Sequence, residues 1–222
     1  MTHPCAVPGC RKAVTGHSRY CPTHLKTKQR WGHPTQTPMS QGEVDKAAAR
    51  VRQLIDRRPK AAAIWESLRA IATTLRKDAA GTVREWNANA VMAGTVNAPA
   101  VAIFDVLGEV DHDKVISSMV AISFISEIDR SRFRDDNAFF ATAARRFLAL
   151  GRSQYKSHVN TKTGQRTRTL KDMKPKFALA LGRHLMAAFG PFGIALHAHA
   201  VKTADETRSQ VRAPINLLED ES

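Results

Sequence analysis

Three cysteines and one histidine near the amino terminus have the spacing of a metal site. Cys5 and Cys10 are separated by four residues, and Cys21 is followed three positions later by His24. Zn²⁺ binds thiolate and imidazole ligands at the corners of a tetrahedron, and three cysteines with one histidine are a common structural set. The chain has no other cysteine, so metal binding accounts for all three. The spacing therefore predicts one structural zinc ion.

Turn-forming residues beside both ligand pairs support this prediction. Pro8 and Gly9 precede the second cysteine and predict a tight turn that folds the first pair back on itself. Pro22 follows the third cysteine and suits the first position of a short helix, which would aim that cysteine and the histidine at one point. Because so small a segment cannot bury enough apolar surface, we expect its folding and its zinc binding to be one event.

The first 35 residues or so also resemble a known kind of zinc finger. Three stretches are similar to small treble-clef fingers of phage and mobile-element proteins: His3-Pro4-Cys5-Ala6-Val7-Pro8-Gly9-Cys10, Arg19-Tyr20-Cys21-Pro22-Thr23-His24 and Arg30-Trp31-Gly32-His33-Pro34. Such fingers are often attached to HNH or homing endonucleases and to other DNA-associated proteins. The resemblance implies a Cys₃His zinc site and a nucleic-acid setting, and it does not extend to the rest of the chain.

Positive charge is concentrated in two blocks. The chain has 34 Lys and Arg, 20 Asp and Glu, and a formal net charge of +14. Residues 1–60 and residues 151–213 each carry +9, the stretch between them carries −1, and residues 214–222 carry −3. Phosphate contacts need cations where the polyanion runs, so this distribution favours two nucleic-acid-contacting regions on one scaffold. Basic proteins can also be merely well solvated, or can bind acidic lipid or acidic protein.

The cations expected to contact phosphates belong to these two blocks. In the first block they are Arg11, Lys12, Arg19, Lys26, Lys28, Arg30, Arg50, Arg57 and Arg58. In the second block they are Arg166, Arg168, Lys171, Lys174 and Lys176. The sequence identifies no base-reading residue, so sequence preference stays open, as does the choice between DNA, which we favour, and RNA.

Apolar periodicity beyond the finger predicts an all-α helical bundle. We divide the chain into a zinc finger (residues 1–34), a polar, turn-rich linker (35–42), a helical body (43–213) and an acidic tail (214–222). Helices are expected over 43–58, from Ile64 through Leu75, and over 100–110, 115–128, 138–148, 177–188 and 194–211. Residues 115–128 are apolar on most faces and predict the central, buried helix.

Several details of this body depend on single residues. Gly190 and Pro191 are expected to end the helix that begins near residue 177. Residues 71–86 are interpreted as an ordinary pair of helices in preference to a helix-turn-helix, since the turn is too long for that motif. Arg145 and Arg146 are expected to face solvent.

Two short β-branched, polar stretches interrupt the helices. Residues 155–161 and 165–170 flank Lys162-Thr163-Gly164 and predict a β-hairpin. A two-stranded ribbon that carries Arg166 and Arg168 on one face would fit the major groove or follow phosphates. The alternative is an exposed connector that is basic for solubility.

Within this hairpin, a histidine and an asparagine suggest an HNH nuclease. His158 and Asn160, with His184 downstream, would supply part of such a site. No Asp-His or His-His pair begins the motif, however, and no matching acidic residue accompanies it. The pattern is incomplete, so these three residues are candidates only and no catalytic residue is assigned.

The sequence therefore favours a non-enzymatic, DNA-binding zinc-finger protein of phage or mobile-element type. An HNH-like metal-dependent nuclease and a protein-binding adaptor are the alternatives. Metal-bound cysteines indicate a reducing compartment, and the polar first residues lack the apolar core of a signal peptide, so we expect a cytoplasmic protein. The apolar-looking uncharged run over residues 184–201 is long enough to consider as a membrane span, but it contains two glycines, a proline and three histidines, which disfavours one.

Overall fold

The computed structural model describes residues 2–88, 94–159, 166–170 and 173–219, with side chains described outside 94–97, 155–159, 166–169 and 206–219. Its elements in chain order are β1 (Thr2–Pro4), β2 (Ala13–Thr15), α1 (Pro22–Trp31), α2 (Gln41–Asp56), α3 (Ala61–Ala88), α4 (Gly94–Glu109), α5 (His112–Ile128), α6 (Asp136–Leu150), a 3₁₀ turn (Arg152–Gln154), β3 (Tyr155–Val159), β4 (Arg166–Leu170) and α7 (Pro175–Glu219). The described chain is mostly helical, as the periodicity predicts, and it includes a Cys₃His cluster at its amino end.

Helix α5 lies at the centre of the core. Ten consecutive residues from Val115 to Phe124 are buried, which agrees with the expectation drawn from the apolar character of residues 115–128 on most faces. α7 and α2 make the most extensive contacts with α5, and α6 packs mainly against α7. The largest fully buried side chains include Phe147 of α6 and Phe189 of α7.

Side-chain caps define where three of the helices begin. Ser40 accepts a hydrogen bond from the backbone N–H of Glu43, and the Glu43 carboxylate accepts one from the backbone N–H of Ser40, so α2 starts with a capping box. The second of these bonds lowers the pKa of Glu43. Asp111 and Asp135 accept bonds from the backbone N–H groups of Lys114 and Ala138 at the starts of α5 and α6.

Helices α3 and α4 are longer than the sequence predicts. The interpretation of residues 71–86 as a helix pair is wrong, because α3 runs without interruption from Ala61 to Ala88. α4 begins at Gly94, several residues before the expected start, and contains Pro99 inside the helix. Pro99 is the sixth residue of this helix, beyond the four N-terminal N–H groups that lack an intrahelical partner, so it removes one i→i−4 backbone hydrogen bond.

Helix α7 continues through the point where we expected it to stop. Gly190 and Pro191 lie inside a helix that extends from Pro175 to Glu219. A β-carbon at Gly193 would lie 2.6 Å from the Val120 carbonyl oxygen and 2.6 Å from the Ser123 Cβ of α5. At Gly193, therefore, glycine allows the two helices to approach closely, and the packing against α5 maintains the helix.

The predicted hairpin is present. β3 and β4 pair antiparallel, with Tyr155 opposite Leu170 and Val159 opposite Arg166. Their connection, which includes Lys162-Thr163-Gly164, lies outside the described residues.

By length and composition alone, one helical stretch in the described part of the chain, Pro175–Asp205 of α7, could cross a membrane. In this fold, 44% of its most apolar 18-residue segment is buried against the rest of the protein.

Candidate metal centre

The first two cysteines lie in the loop of the amino-terminal hairpin. β1 and β2 pair antiparallel, with His3 opposite Val14, and the connection between them carries Cys5 and Cys10. Gly9 has φ +77°, a backbone conformation that favours glycine, and Cys10 N–H donates to the Val7 carbonyl oxygen at 3.1 Å. This is the tight turn that the sequence predicts, and it brings the first pair of cysteines together.

The third cysteine and the histidine are placed by the start of α1. Cys21 occupies the position just before the helix, Pro22 is its first residue, and His24 follows within the first turn. Cys21 is fully buried, and its backbone carbonyl oxygen accepts a hydrogen bond from Leu25 N–H at 2.9 Å. The proline therefore has the predicted role of opening the helix that aims both side chains at one point.

The four ligand atoms converge. The sulfur atoms of Cys5 and Cys21 each lie 3.4 Å from Nδ1 of His24. All four ligand atoms, including the Cys10 sulfur, are within 4.8 Å of one another. The three cysteines are free of disulfide bonds. Among the described residues this is the only such cluster of histidine, cysteine and carboxylate groups, and it can hold one metal ion.

Backbone N–H groups prepare Cys5 for coordination. Burial raises the pKa of this thiol, but hydrogen bonds from the N–H groups of Cys21 and Val7 and from the His24 side chain lower it to about 6. The Cys21 N–H lies 3.4 Å from the sulfur. At neutral pH the group is therefore largely thiolate, which is the form that binds metal.

The pKa of the Cys10 thiol is raised, in contrast to that of Cys5. The backbone N–H of Lys12 lowers the pKa of this thiol, but burial and the neighbouring sulfur atoms of Cys5 and Cys21 outweigh that bond, and the pKa is raised. Crowded sulfur atoms repel one another when they are ionised, and a bound cation offsets this repulsion and so favours deprotonation of its ligands. With such a cation, all three thiols could serve as donors beside His24.

The carboxyl end of α1 is fixed on α6. Arg145 donates from Nε to the Arg30 carbonyl oxygen at 2.6 Å. The guanidinium groups of Arg145 and Arg146 lie 5.3 and 5.6 Å from the centre of the Trp31 ring. The expectation that Arg145 faces solvent is wrong, because it is only 9% exposed and satisfies a carbonyl group at the end of α1.

A buried amide attaches the following segment to the body. Gln36 is 2% exposed; its Nε2 donates to the Arg132 carbonyl oxygen at 3.1 Å, and its Oε1 accepts from the Arg134 N–H at 3.1 Å. Arg132 in turn donates to the carbonyl oxygens of Thr37 and Pro38. The stretch interpreted as a linker is therefore packed against the body along much of its length.

Sequence reasoning missed these docking residues because their partners are distant along the chain. Arg145 and Arg30 are 115 residues apart, and Gln36 and Arg134 are 98 apart. The one local indication of docking was Trp31 followed by Gly32 and Pro34, because glycine and proline mark the end of a helix and the tryptophan offers a large ring for packing there.

Most of the cations predicted to contact phosphates are exposed. The exposed ones are Arg11, Lys12, Arg19, Lys26, Lys28, Arg30, Arg50, Arg57, Lys174 and Lys176. Arg58 is partly buried, and its Nη2 is fully enclosed, so it is poorly placed for this role. Lys171 lies outside the described residues, and Arg166 and Arg168 are described only as backbone positions in β4.

The candidate nuclease residues are not assembled into a site in the described part of the chain. His184 is exposed on α7. His158 is described only as a backbone position in β3, where it pairs with Thr167, and Asn160 lies outside the described residues.

Comparison of the chain with protein-family models, curated proteins and solved structures finds no match.

Proposed function

We propose that this protein binds nucleic acid, most readily DNA, through a zinc-stabilised finger and a second basic region of the helical body. One observation carries the proposal: the Cys₃His cluster organises a segment that is strongly basic and contains no acidic residue. Residues 1–42 contain six Lys and Arg and no Asp or Glu. Three thiolates and a divalent ion would add one negative charge, which leaves the finger clearly positive.

Zinc is the metal that best fits these four ligands. With Zn–S near 2.3 Å and Zn–N near 2.05 Å, tetrahedral coordination separates sulfur from nitrogen by about 3.6 Å. The two observed sulfur-to-nitrogen distances of 3.4 Å agree with that value. Soft thiolate ligands with one imidazole also favour zinc over magnesium or calcium, which prefer oxygen. With four protein ligands the ion would have a structural role.

The order of elements supports a treble-clef-like finger on a helical bundle. A hairpin loop supplies two ligands and the first turn of a helix supplies the other two, which is the arrangement expected from the resemblance in residues 3–34. Helices α2, α3, α6 and α7 pack around α5, and α4 packs mainly on α3. Reduced, metal-bound cysteines fit a cytoplasmic setting in a phage or mobile-element context.

Binding to labelled nucleic acid over a range of salt concentrations tests the proposal. Duplex DNA, single-stranded DNA and duplex RNA of equal length would be compared by fluorescence anisotropy. Each phosphate contact releases condensed counterion, so the log of the affinity should fall with the log of the salt concentration, with a slope of about −0.9 per contact on duplex DNA. Removal of the metal by a chelator should weaken binding, because it unfolds the finger.

Two outcomes would favour the alternatives. A protein that ignores all three ligands at low salt, and that instead co-purifies with a defined protein, would be an adaptor. Mg²⁺-dependent cleavage of the DNA during the assay, abolished by His158→Ala, would identify a nuclease.

A further inference from the structure

Helix α1 is the most exposed helix among those whose side chains are fully described. None of its ten residues is buried, although it is held at both ends. At its start, Cys21 and His24 belong to the metal centre. At its end, the Arg30 carbonyl oxygen and the Trp31 ring are bound by α6. A ten-residue helix would be marginal in isolation, so these two attachments are what make it rigid.

The side chains of α1 divide into an inner and an outer face. His24 and Trp31 are partly buried on the inner face, and Lys28 lies beside them, 4.9 Å from the centre of the Tyr20 ring. At 100° per residue, the opposite face carries Pro22, Thr23, Lys26, Gln29 and Arg30, which are all exposed. Apart from the proline, the outer face therefore presents polar and basic groups, with the half-buried Leu25 at its edge beside Gln29.

These groups match the hydrogen-bonding code of the DNA major groove. Lysine and arginine donate to O6 and N7 of guanine, and glutamine pairs with N6 and N7 of adenine. The major groove is about 12 Å wide and admits an α-helix. Lys26 and Gln29 are three positions apart, a rise of about 4.5 Å, which lies between one and two base-pair steps of about 3.4 Å and lets the two side chains reach adjacent base pairs. The major groove of duplex RNA is too deep and narrow for the same contact.

We propose that α1 is a recognition helix that enters the major groove of duplex DNA, with Lys26 and Gln29 reading adjacent base pairs. This inference rests on the proposed nucleic-acid binding and adds the duplex, the groove and the specificity-determining residues. The metal centre and α6 hold the helix in a fixed orientation, so little ordering entropy is lost when it binds. Arg11 and Lys12 of the hairpin loop are exposed, Lys12 Nζ donates to Thr23 Oγ1 of α1 at 3.3 Å, and both cations would contact phosphates.

Selection of bound duplexes from a random-sequence library tests this inference. The wild-type protein should enrich a core of about three to four base pairs that contains guanine next to adenine. With the enriched duplex and its single-base variants, Gln29→Ala should lose about 5- to 150-fold of discrimination at the adenine position. Lys26→Ala should lose discrimination at the guanine position by a similar factor. In both variants, the affinity for unrelated duplexes at low salt should change by a much smaller factor than the discrimination between bases.

Gln53→Ala is the matched control, because Gln53 is an exposed glutamine of α2 outside the finger. It should leave the enriched core and the discrimination unchanged. Metal content and circular dichroism of the two α1 variants should equal those of the wild type, since the substituted side chains are exposed.

The possible failures are distinguishable. If the protein binds duplex DNA but enriches no core, or if the core survives in the Lys26→Ala, Gln29→Ala double variant, α1 does not read bases and only this inference fails. A preference for single strands or RNA over duplex DNA would overturn the groove assignment while leaving nucleic-acid binding intact. Absence of salt-sensitive binding to every ligand would overturn the proposed function itself.

Discussion

At the scale of single residues, the glycines of α7 set how closely this helix approaches α5. A β-carbon at Gly193 would lie 2.6 Å from two atoms of α5, one of them a backbone oxygen that cannot move independently. We therefore expect Gly193→Ala to lower the free energy of unfolding by about 1–3 kcal/mol, measured by urea denaturation. Gly81→Ala in α3 is the control: nothing lies within 4 Å, so it should be neutral or raise stability by up to about 1 kcal/mol.

The ligand residues carry a second prediction at this scale. Purified under reducing conditions, the protein should contain about one zinc ion per chain. Cys10→Ser combined with Cys21→Ser should abolish zinc binding, because two weak hydroxyl ligands cannot replace two thiolates. His17→Ala, which changes an exposed histidine of the same segment outside the cluster, should retain the metal. Full zinc retention by the double serine variant would show that the cluster is not the site.

At the scale of elements, an ion pair joins α3 to the start of α5. Arg69 donates two hydrogen bonds to Asp113, at 2.7 and 2.6 Å, and this pairing lowers the pKa of Asp113 below its usual 3.8. A lowered pKa in the folded state stabilises the protein above pH 4 or so, and that contribution disappears as the pH falls through the lower value. Because the pair is partly exposed, its contribution is below about 1 kcal/mol.

Asp113→Asn tests this pairing. At pH 7 the variant should unfold at lower urea concentration than the wild type, and the difference should shrink steadily between pH 5 and pH 3 or so. Asp78→Asn changes an exposed aspartate of α3 and serves as a control that should show little difference at either pH. A constant difference between Asp113→Asn and wild type across this range would show that the ion pair is not the cause.

What the sequence predicts well are the features whose causes are local. The metal centre follows from four residues and two turns within 20 positions, and the buried character of α5 follows from its own composition. The end assigned at Gly190 and Pro191 was wrong because α7 continues through both residues, and Gly190 and Gly193 lie close against Ser123 of α5. Arg145 could not be placed from sequence, since its partner is a backbone carbonyl group 115 residues away.

At the scale of the whole molecule, the finger and the body are joined by packed residues. We expect residues from about 41 onward to fold without the finger, because they contain the apolar periodicity of the body. Removal of residues 1–40 also removes Met39, which is fully buried, and the buried Gln36. That truncated protein should melt cooperatively, but at a lower temperature than one that lacks only residues 1–34. Equal melting temperatures would show that residues 35–40 contribute nothing to the body.

The last prediction concerns the two basic blocks, residues 1–60 and 151–213, which are far apart in the sequence. A single nucleic-acid ligand can contact both only if the fold brings them together or the ligand spans the distance between them. Arg166→Ala with Arg168→Ala should weaken binding across all sequences and make the log–log salt slope shallower by roughly one to two units. Lys77→Ala with Arg84→Ala removes the same charge from exposed positions on α3, within the neutral stretch, and should leave the slope unchanged. If the hairpin variant keeps the wild-type affinity and slope, β3 and β4 are a connector. If both double variants reduce the slope equally, total charge rather than its placement governs binding.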